Sequence, residues 1–305
     1  MTQRQNQPPT TTQRRRKMLV KLAITVVMCG MLYAAADWRE VGAKLTTLDG
    51  TLLVAALLLF VPQTLVSAWR WRRLIAPWGR HSLSEATAHT LIASTWNLVV
   101  PSKLGDFSKA ALVPLDDHRH RKQVAGCVGI EKGADLAALA LATMVGLQFS
   151  LSLTVATIIA AILVVFIIHR VLQRRGIKPE LVACIAATAV LWLLHLTQIH
   201  LFLRAAGVDT SFATSLSRVP AALIAGIVPA AFCGIGTRDA ALVWLYADVA
   251  SPATMAVVGL LTALRYVVPG AAGIPLLWLR RRTESPTRRD DRYANRPHSV
   301  QPAAS

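Results

Sequence analysis

The chain has 305 residues, 54% of them hydrophobic and 16% charged, with a mean hydropathy of +0.46. Soluble domains carry roughly a quarter charged residues; here the charge is confined to the ends and to short loops between long apolar blocks, which excludes a soluble globular protein. The net charge of +17 does not call for nucleic acid, because the basic residues gather beside apolar runs, as at 14–17 and 280–282, where the positive-inside rule puts them.

Taken in chain order, residues 1–17 read as a disordered basic tail, 18–280 as one membrane domain and 281–305 as a disordered cytoplasmic tail. The apolar run 18–36 follows a basic stretch and ends in Ala34-Ala-Ala36, as a signal peptide would. At about 19 residues it is longer than a signal core, and further spans follow, so it is read as an uncleaved first helix. A mixed-charge loop, 37–50, leads to a second span at 51–69. The Trp-Arg-Trp-Arg-Arg run at 69–73, with Arg80, reads as a cytoplasmic interface. Two apolar arms, 86–100 and 105–115, then flank an interrupted stretch. A basic loop at 116–122 precedes a third span at 124–149, with a fourth at 151–168. Arg170, Arg174, Arg175 and Lys178 mark the cytoplasmic side again. The fifth span is 181–203, two more short arms occupy 219–232 and 239–250, and the last span is 253–279.

With the N-terminus inside, every basic cluster falls on the cytoplasmic side if six segments cross fully and 86–115 and 219–250 are hairpins that return to their own face. Eight full crossings satisfy the same parity. Arms of about 11–15 residues are short for a span, since a helix rises only 1.5 Å per residue. The expected fold is therefore all-α: a polytopic integral membrane protein with about six full spans and two re-entrant helical hairpins.

The two interrupted stretches match one another. Val100-Pro-Ser-Lys-Leu-Gly-Asp-Phe-Ser-Lys-Ala-Ala-Leu112 and Val228-Pro-Ala-Ala-Phe-Cys-Gly-Ile-Gly-Thr-Arg-Asp-Ala-Ala-Leu242 each run from proline through glycine and charge to Ala-Ala-Leu. Entering from opposite faces, they form an inverted repeat. Paired Pro/Gly-interrupted segments of this kind point to a transporter's site, because irregular backbone survives at membrane depth only inside protein or around water. The helix N-termini after each break are expected to offer N–H groups and a positive dipole end to an anion.

Nine charges accompany these segments: Lys103, Asp106, Lys109, Glu131, Lys132, Asp135, Arg238, Asp239 and Arg265. At ~2.5–3.5 kcal/mol for each charge at mid-membrane, they must pair, line water or snorkel. Glu131 and Asp135 share a helix face, with Lys132 about 100° round, so their partner is expected from another segment, with Arg265 the candidate. Cys29, Cys127, Cys184 and Cys233 lie in apolar runs with no Cys-x-x-Cys, and His195 and His200 are read as packing residues. No metal-ligand set, no phosphate-binding Gly-x-x-x-x-Gly-Lys and no paired nucleophile and base occur, so no cofactor and no enzyme activity are expected.

These residues resemble the flippase-like membrane domain known as the lysylphosphatidylglycerol synthase transmembrane region. The resemblance spans most of 18–280 and rests on the Trp-Arg-Trp cluster at 69–71, Asn97 with Pro101-Ser102 and Gly105-Asp106, Glu131 with Asp135, and Gly234-Ile-Gly236 with Arg238. It implies movement of lipids with large polar headgroups between leaflets. Asn97, Pro101, Ser102, Gly105 and Asp106 match the first hairpin of that pattern, Gly234, Gly236 and Arg238 the second, and Arg265 the basic position of the last helix. Lys109 and Lys132 stand where arginine is common, Cys233 at a usual glycine and Asp239 at a usual glutamate. No aminoacyl-transferase domain follows in this sequence, so headgroup synthesis is expected to fall to a separate protein.

The expectation is thus a bacterial inner-membrane carrier, with both termini cytoplasmic, for an anionic phospholipid or a polyprenyl-phosphate lipid. Asn97, Pro101, Ser102, Lys103, Gly105, Asp106, Lys109, Gly234, Gly236 and Arg238 would contact the headgroup, and Glu131, Lys132, Asp135, Asp239 and Arg265 would form a charge network able to relay protons. A non-transporting membrane partner of a glycosyltransferase or lipid synthase is the alternative.

Overall fold

The computed structural model describes residues 38–115, 117–146, 181–226 and 236–283. The spans read at 18–36 and 151–168, both tails and the tip of the second hairpin at 227–235 lie outside the described residues. Within them every regular element is helical, as the apolar blocks require. Helices Gly50–Trp78, Cys184–Ala205 and Pro252–Arg280 are long and apolar enough to cross a membrane. Only 17% of the apolar window of Gly50–Trp78 is buried. Val54, Leu58, Val61 and Leu65 on its outer face are therefore exposed apolar side chains of the kind that lipid, not water, accommodates.

α1 (Trp38–Thr46) occupies what reads in the sequence as a loop, and it packs on the last helix. α2 (Gly50–Leu58) starts at Asp49, whose carboxylate accepts from the Thr51 and Leu52 amides at 2.9 and 3.1 Å. It continues as α3 (Phe60–Ile75) after a break at Leu59. Pro62 has no N–H for the Leu58 carbonyl, which accounts for the break. The rod then runs well past the expected end at 69 and stops only at Pro77 and Gly79.

α4 (Leu83–Val99) opens with a reciprocal capping box between Ser82 and Glu85. It closes where Val100 turns extended (φ −93°, ψ 121°) ahead of Pro101, because a residue before proline disfavours the α region. A 3₁₀ turn, Pro101–Phe107, passes directly into the five-residue α5 (Ser108–Leu112), which ends before Pro114 for the same reason. The first hairpin is thus lopsided: one long arm, a coiled tip and one turn of helix. α6 (His118–Gly146) begins inside the basic loop, where Asp117 accepts from the Arg119 amide at 2.8 Å.

α7 (Leu181–Ala205) ends in a tight turn closed by Gly207 at φ +78°. α8 (Phe212–Ala225) starts at the Ser211 cap, and α9 (Thr237–Leu245) follows Gly236 at φ +101°, a conformation that L side chains rarely adopt. α10 (Pro252–Thr283) completes the chain's described part and contains Pro269 and Pro275. α4 packs along α10, α6 along α8, and α3 against both α4 and α7. One apolar core joins α6 through α10 at Leu139, Ile199, Leu223, Tyr246 and Met255; another joins α3 through α7 at Trp71, Ile75, Val113 and Val128.

Candidate functional site

The sequence places small polar residues along single helix faces. On α3, Gln63, Ser67 and Arg70 follow a 4, 3 spacing; on α4, Thr90, Ser94 and Asn97 do the same; on α6, Glu131 and Asp135 are one turn apart. Packing turns these stripes toward one another and leaves a cavity of about 170 Å³ between them. Leu191, Trp192 and His195 from α7, Arg265, Tyr266 and Pro269 from α10, and Asp106 and Lys109 from the hairpin complete its wall. The hydroxyls of Thr90 and Ser94 back-bond to the carbonyls of Ala86 and Thr90 at 2.9 and 3.0 Å, which satisfies them in an apolar setting.

A charge cluster forms the floor. Arg70, 2% exposed, is its centre. One guanidinium nitrogen donates to Asp135 Oδ1 at 2.7 Å and to Thr188 Oγ1 at 2.8 Å; the other donates to Glu131 Oε1 at 2.8 Å. Lys109 Nζ reaches both Glu131 oxygens at 3.1 Å and sits 5.5 Å from the Trp71 ring centroid. Lys132 Nζ lies 2.5 Å from Asp106 Oδ2 and 3.6 Å from Asp135 Oδ2. Asn97 Nδ2 donates to Asp106 Oδ1 at 2.9 Å, and Trp192 Nε1 to Asp135 Oδ1 at 3.3 Å. Three cations and three carboxylates thus neutralise one another across α3, α6 and the hairpin's 3₁₀ turn and α5. A buried charge survives only when paired and hydrogen-bonded, and each carboxylate here has at least two donors.

The hairpin tip is fitted to this cluster by its backbone. A Cβ on Gly105 would stand 2.5 Å from the Asn97 amide nitrogen and 2.6 Å from Asn97 Oδ1. Only glycine lets the 3₁₀ turn close on the end of α4 and deliver Asp106 between Asn97 and Lys132. The side chains of Pro101, Ser102 and Lys103, and all of Gly234, lie outside the described residues.

Two sequence expectations need correction. Arg265 is not the partner of Glu131 and Asp135; that role belongs to Arg70, with Lys109 and Lys132. The 69–73 run is not wholly an interface: the helix continues through it and turns Arg70 inward, while Arg73 stays at the edge, 5.0 Å from the Trp69 ring centroid. The signal was present as the polar stripe Gln63, Ser67, Arg70, which places Arg70 on the face opposite lipid. His195, read as packing, lines the cavity.

Arg238 and Asp239 form a separate arrangement between α9 and α10. Arg238 donates to Asp239 Oδ1 at 2.7 Å through Nε and to the Gly259 carbonyl at 2.9 Å. The Asp239 carboxylate also accepts from the Gly236 amide at 3.3 Å, so the start of α9 is already occupied by the chain's own anion. Arg238, read in the sequence as a headgroup contact, and Asp239 are 2% and 0% exposed and are not among the residues that line this cavity. The first break offers no helix terminus either, since α5 is a single turn.

Among the described residues no cluster of His, Cys, Asp and Glu could hold a metal. No curated protein matches the chain. A family model described as lysylphosphatidylglycerol synthase TM region matches residues 18–175, just over half of the sequence, a span that holds Arg70, the first hairpin and the Glu131–Asp135 face and stops before Arg238 and Arg265. With the apolar helices and the buried charge cluster in place, the chain is a membrane protein that belongs to the lysylphosphatidylglycerol synthase TM region family.

Proposed function

We propose that the protein is a flippase- or scramblase-like carrier that moves an anionic phospholipid or a polyprenyl-phosphate-linked headgroup between leaflets of the bacterial inner membrane, with both termini cytoplasmic. The observation that carries this reading is the charged cavity of about 170 Å³ walled by apolar helices. A cavity with seven charged residues in its wall rejects acyl chains, which remain in lipid, and accepts a polar headgroup. The family's name ties this membrane region to a lipid synthase, which is in keeping with a lipid cargo.

In this reading the hairpin tip is the moving part. Asp106 belongs to the tip and is held by Asn97 from α4 and Lys132 from α6. Exchange of Lys132 between Asp106 and a headgroup would open and close one face of the cavity. The second hairpin would serve the opposite face, as its inverted sequence match suggests. A membrane-impermeant thiol reagent acting on Ser102→Cys and on native Cys233, with Cys29, Cys127 and Cys184 replaced, checks that: labelling from one and the same side would reject the inverted arrangement.

The direct experiment is reconstitution in liposomes with leaflet-resolved assays over a panel of anionic lipids. Asp106→Asn is expected to insert and fold, since the amide keeps the Asn97 contact, yet to lose transport. Normal transport by that variant would remove the hairpin from the mechanism. Absence of movement of any lipid by the wild-type protein would leave the alternative, a non-transporting membrane partner of a glycosyltransferase or lipid synthase.

A further inference from the structure

The cavity wall holds four cations, Arg70, Lys109, Lys132 and Arg265, but only three carboxylates, Asp106, Glu131 and Asp135. The first three cations and all three carboxylates are consumed by one another at 2.5–3.6 Å. Arg265 is left over. It is 8% exposed, its Nη1 has no hydrogen-bond partner, and among the described residues no carboxylate pairs with it. Its guanidinium carbon lies 5.2 Å from the Tyr266 ring centroid. Among the described residues Arg238, whose counter-ion there is Asp239, acts on it as a second cation, and Arg238 Nη1 is unpartnered as well. An uncompensated buried guanidinium beside a second cation is a costly arrangement for a resting protein. It is the arrangement expected where the missing anion arrives with a ligand.

We infer that Arg265 is the binding point for a single phosphodiester group, and that the cavity therefore takes lipids whose headgroup hangs on one singly charged phosphate. This rests on the carrier reading for its cargo being a lipid, and it deepens that reading by naming the chemistry. The count is what decides the class. A neutral cluster of three pairs plus one open arginine balances one negative charge. A diphosphate brings at least two and would leave one uncompensated inside the bundle. A glycerophospholipid such as phosphatidylglycerol and a polyprenyl monophosphate sugar both present the required monoanionic diester; a polyprenyl diphosphate does not. Pro269, also on the cavity wall, lies one turn beyond Arg265 and cannot donate to the Arg265 carbonyl.

The test is equilibrium binding to the purified full-length protein in detergent, read by native mass spectrometry, with phosphatidylglycerol, a polyprenyl monophosphate glucose and a polyprenyl diphosphate as separate probes. The two diesters distinguish a glycerolipid from a polyprenol source. At least one should bind, and Arg265→Gln should weaken that binding roughly tenfold or more, with Arg265→Lys retaining part of it. Without added lipid, Arg265→Gln should melt at or above the wild-type temperature, because an unpartnered buried charge has been removed. Unchanged diester binding by Arg265→Gln, tighter binding of the diphosphate than of either diester, or failure of Arg265→Gln to fold would each overturn the inference. Diester binding that depends on Arg265, in a protein that moves no lipid between leaflets, would sink the carrier reading and leave this site standing. Lipid movement with binding indifferent to Arg265 would do the reverse.

Discussion

The cavity cluster and the Arg238–Asp239 pair are both built from buried charges, but they are wired differently. Around the cavity, each carboxylate is shared: Glu131 serves Arg70 and Lys109, and Asp135 serves Arg70, Lys132 and Trp192. Four helices and the hairpin tip meet in that network, and one of its cations, Lys132, has a side chain 38% exposed toward the opening. Arg238 and Asp239 are instead neighbours in sequence, sealed from solvent, and bonded to backbone groups of Gly236 and Gly259. There a Cβ on Gly259 would come within 2.9 Å of the Asp239 carboxylate, so α10 closes the pair directly. A shared, partly open network can change partners; a private, closed pair fixes α9 on α10. The difference separates charges that can answer to a ligand from charges that hold the frame.

Two substitutions and two double-mutant cycles sharpen that contrast. The largest effect is expected at Glu131. Glu131→Gln leaves Lys109 without an anion and Arg70 with one fewer, both inside the bundle. Removing one member of a buried ion network costs about 3–5 kcal/mol, enough to deplete the folded protein, and thermal melting in detergent should show it. A Glu131→Gln protein as stable as wild type would mean that the cluster is hydrated rather than buried. Asp239→Asn comes next. Arg238 and the Gly236 amide bond different oxygens of Asp239, and the asparagine amide has only one. Arg238 therefore loses its counter-ion and one of the two donors loses its acceptor, at a cost of about 3 kcal/mol, the low end for breaking a buried pair. The same melting measurement should find it milder than Glu131→Gln, and a reversal of that order would break the distinction between shared and private charge.

The smallest effect is a coupling energy. In a double-mutant cycle, Arg70→Gln and Asp135→Asn should be non-additive by about 1 kcal/mol, because the two side chains are bonded. Arg265→Gln and Asp135→Asn share no bond and should add to within about 0.5 kcal/mol. Strong coupling in the second cycle, and none in the first, would restore Arg265 as the partner of the acidic face and remove the open site assigned to it.

Much of the site was legible in the sequence because membrane depth makes charge expensive. Asp106, Glu131, Asp135 and Arg265 announce themselves as charges in apolar surroundings, and the Pro-Gly break before Asp106 marks the turn that carries it. Pairing was another matter. Glu131 and Asp135 reveal that they need a cation from elsewhere, yet the sequence offers several, and Arg70 is camouflaged by Arg72 and Arg73 in a run that looks like an interface. The stripe Gln63, Ser67, Arg70 was the available clue, since period and not composition tells which of three neighbouring arginines turns inward. Arg238 was hidden in the opposite sense: its place in the repeat points to a ligand contact, and nothing in its segment announces that Asp239 one residue on and the Gly259 carbonyl on α10 bond it.

The sequence by itself determined the class of the molecule, the apolar helices and most of the breaks between them. Helix length, hydropathy and the φ limits of proline and glycine are local properties that act through the chain's own neighbours. It also determined that the buried charges must find partners. Which charges meet, and which one is left open, only the tertiary structure decided. Ion pairs join residues 61 and 65 positions apart here, and such partners are chosen by how α3, α4, α6, α7 and α10 rotate and pack together. A side chain's energy in that setting depends on the groups facing it across the cavity, and nothing in its own segment specifies them.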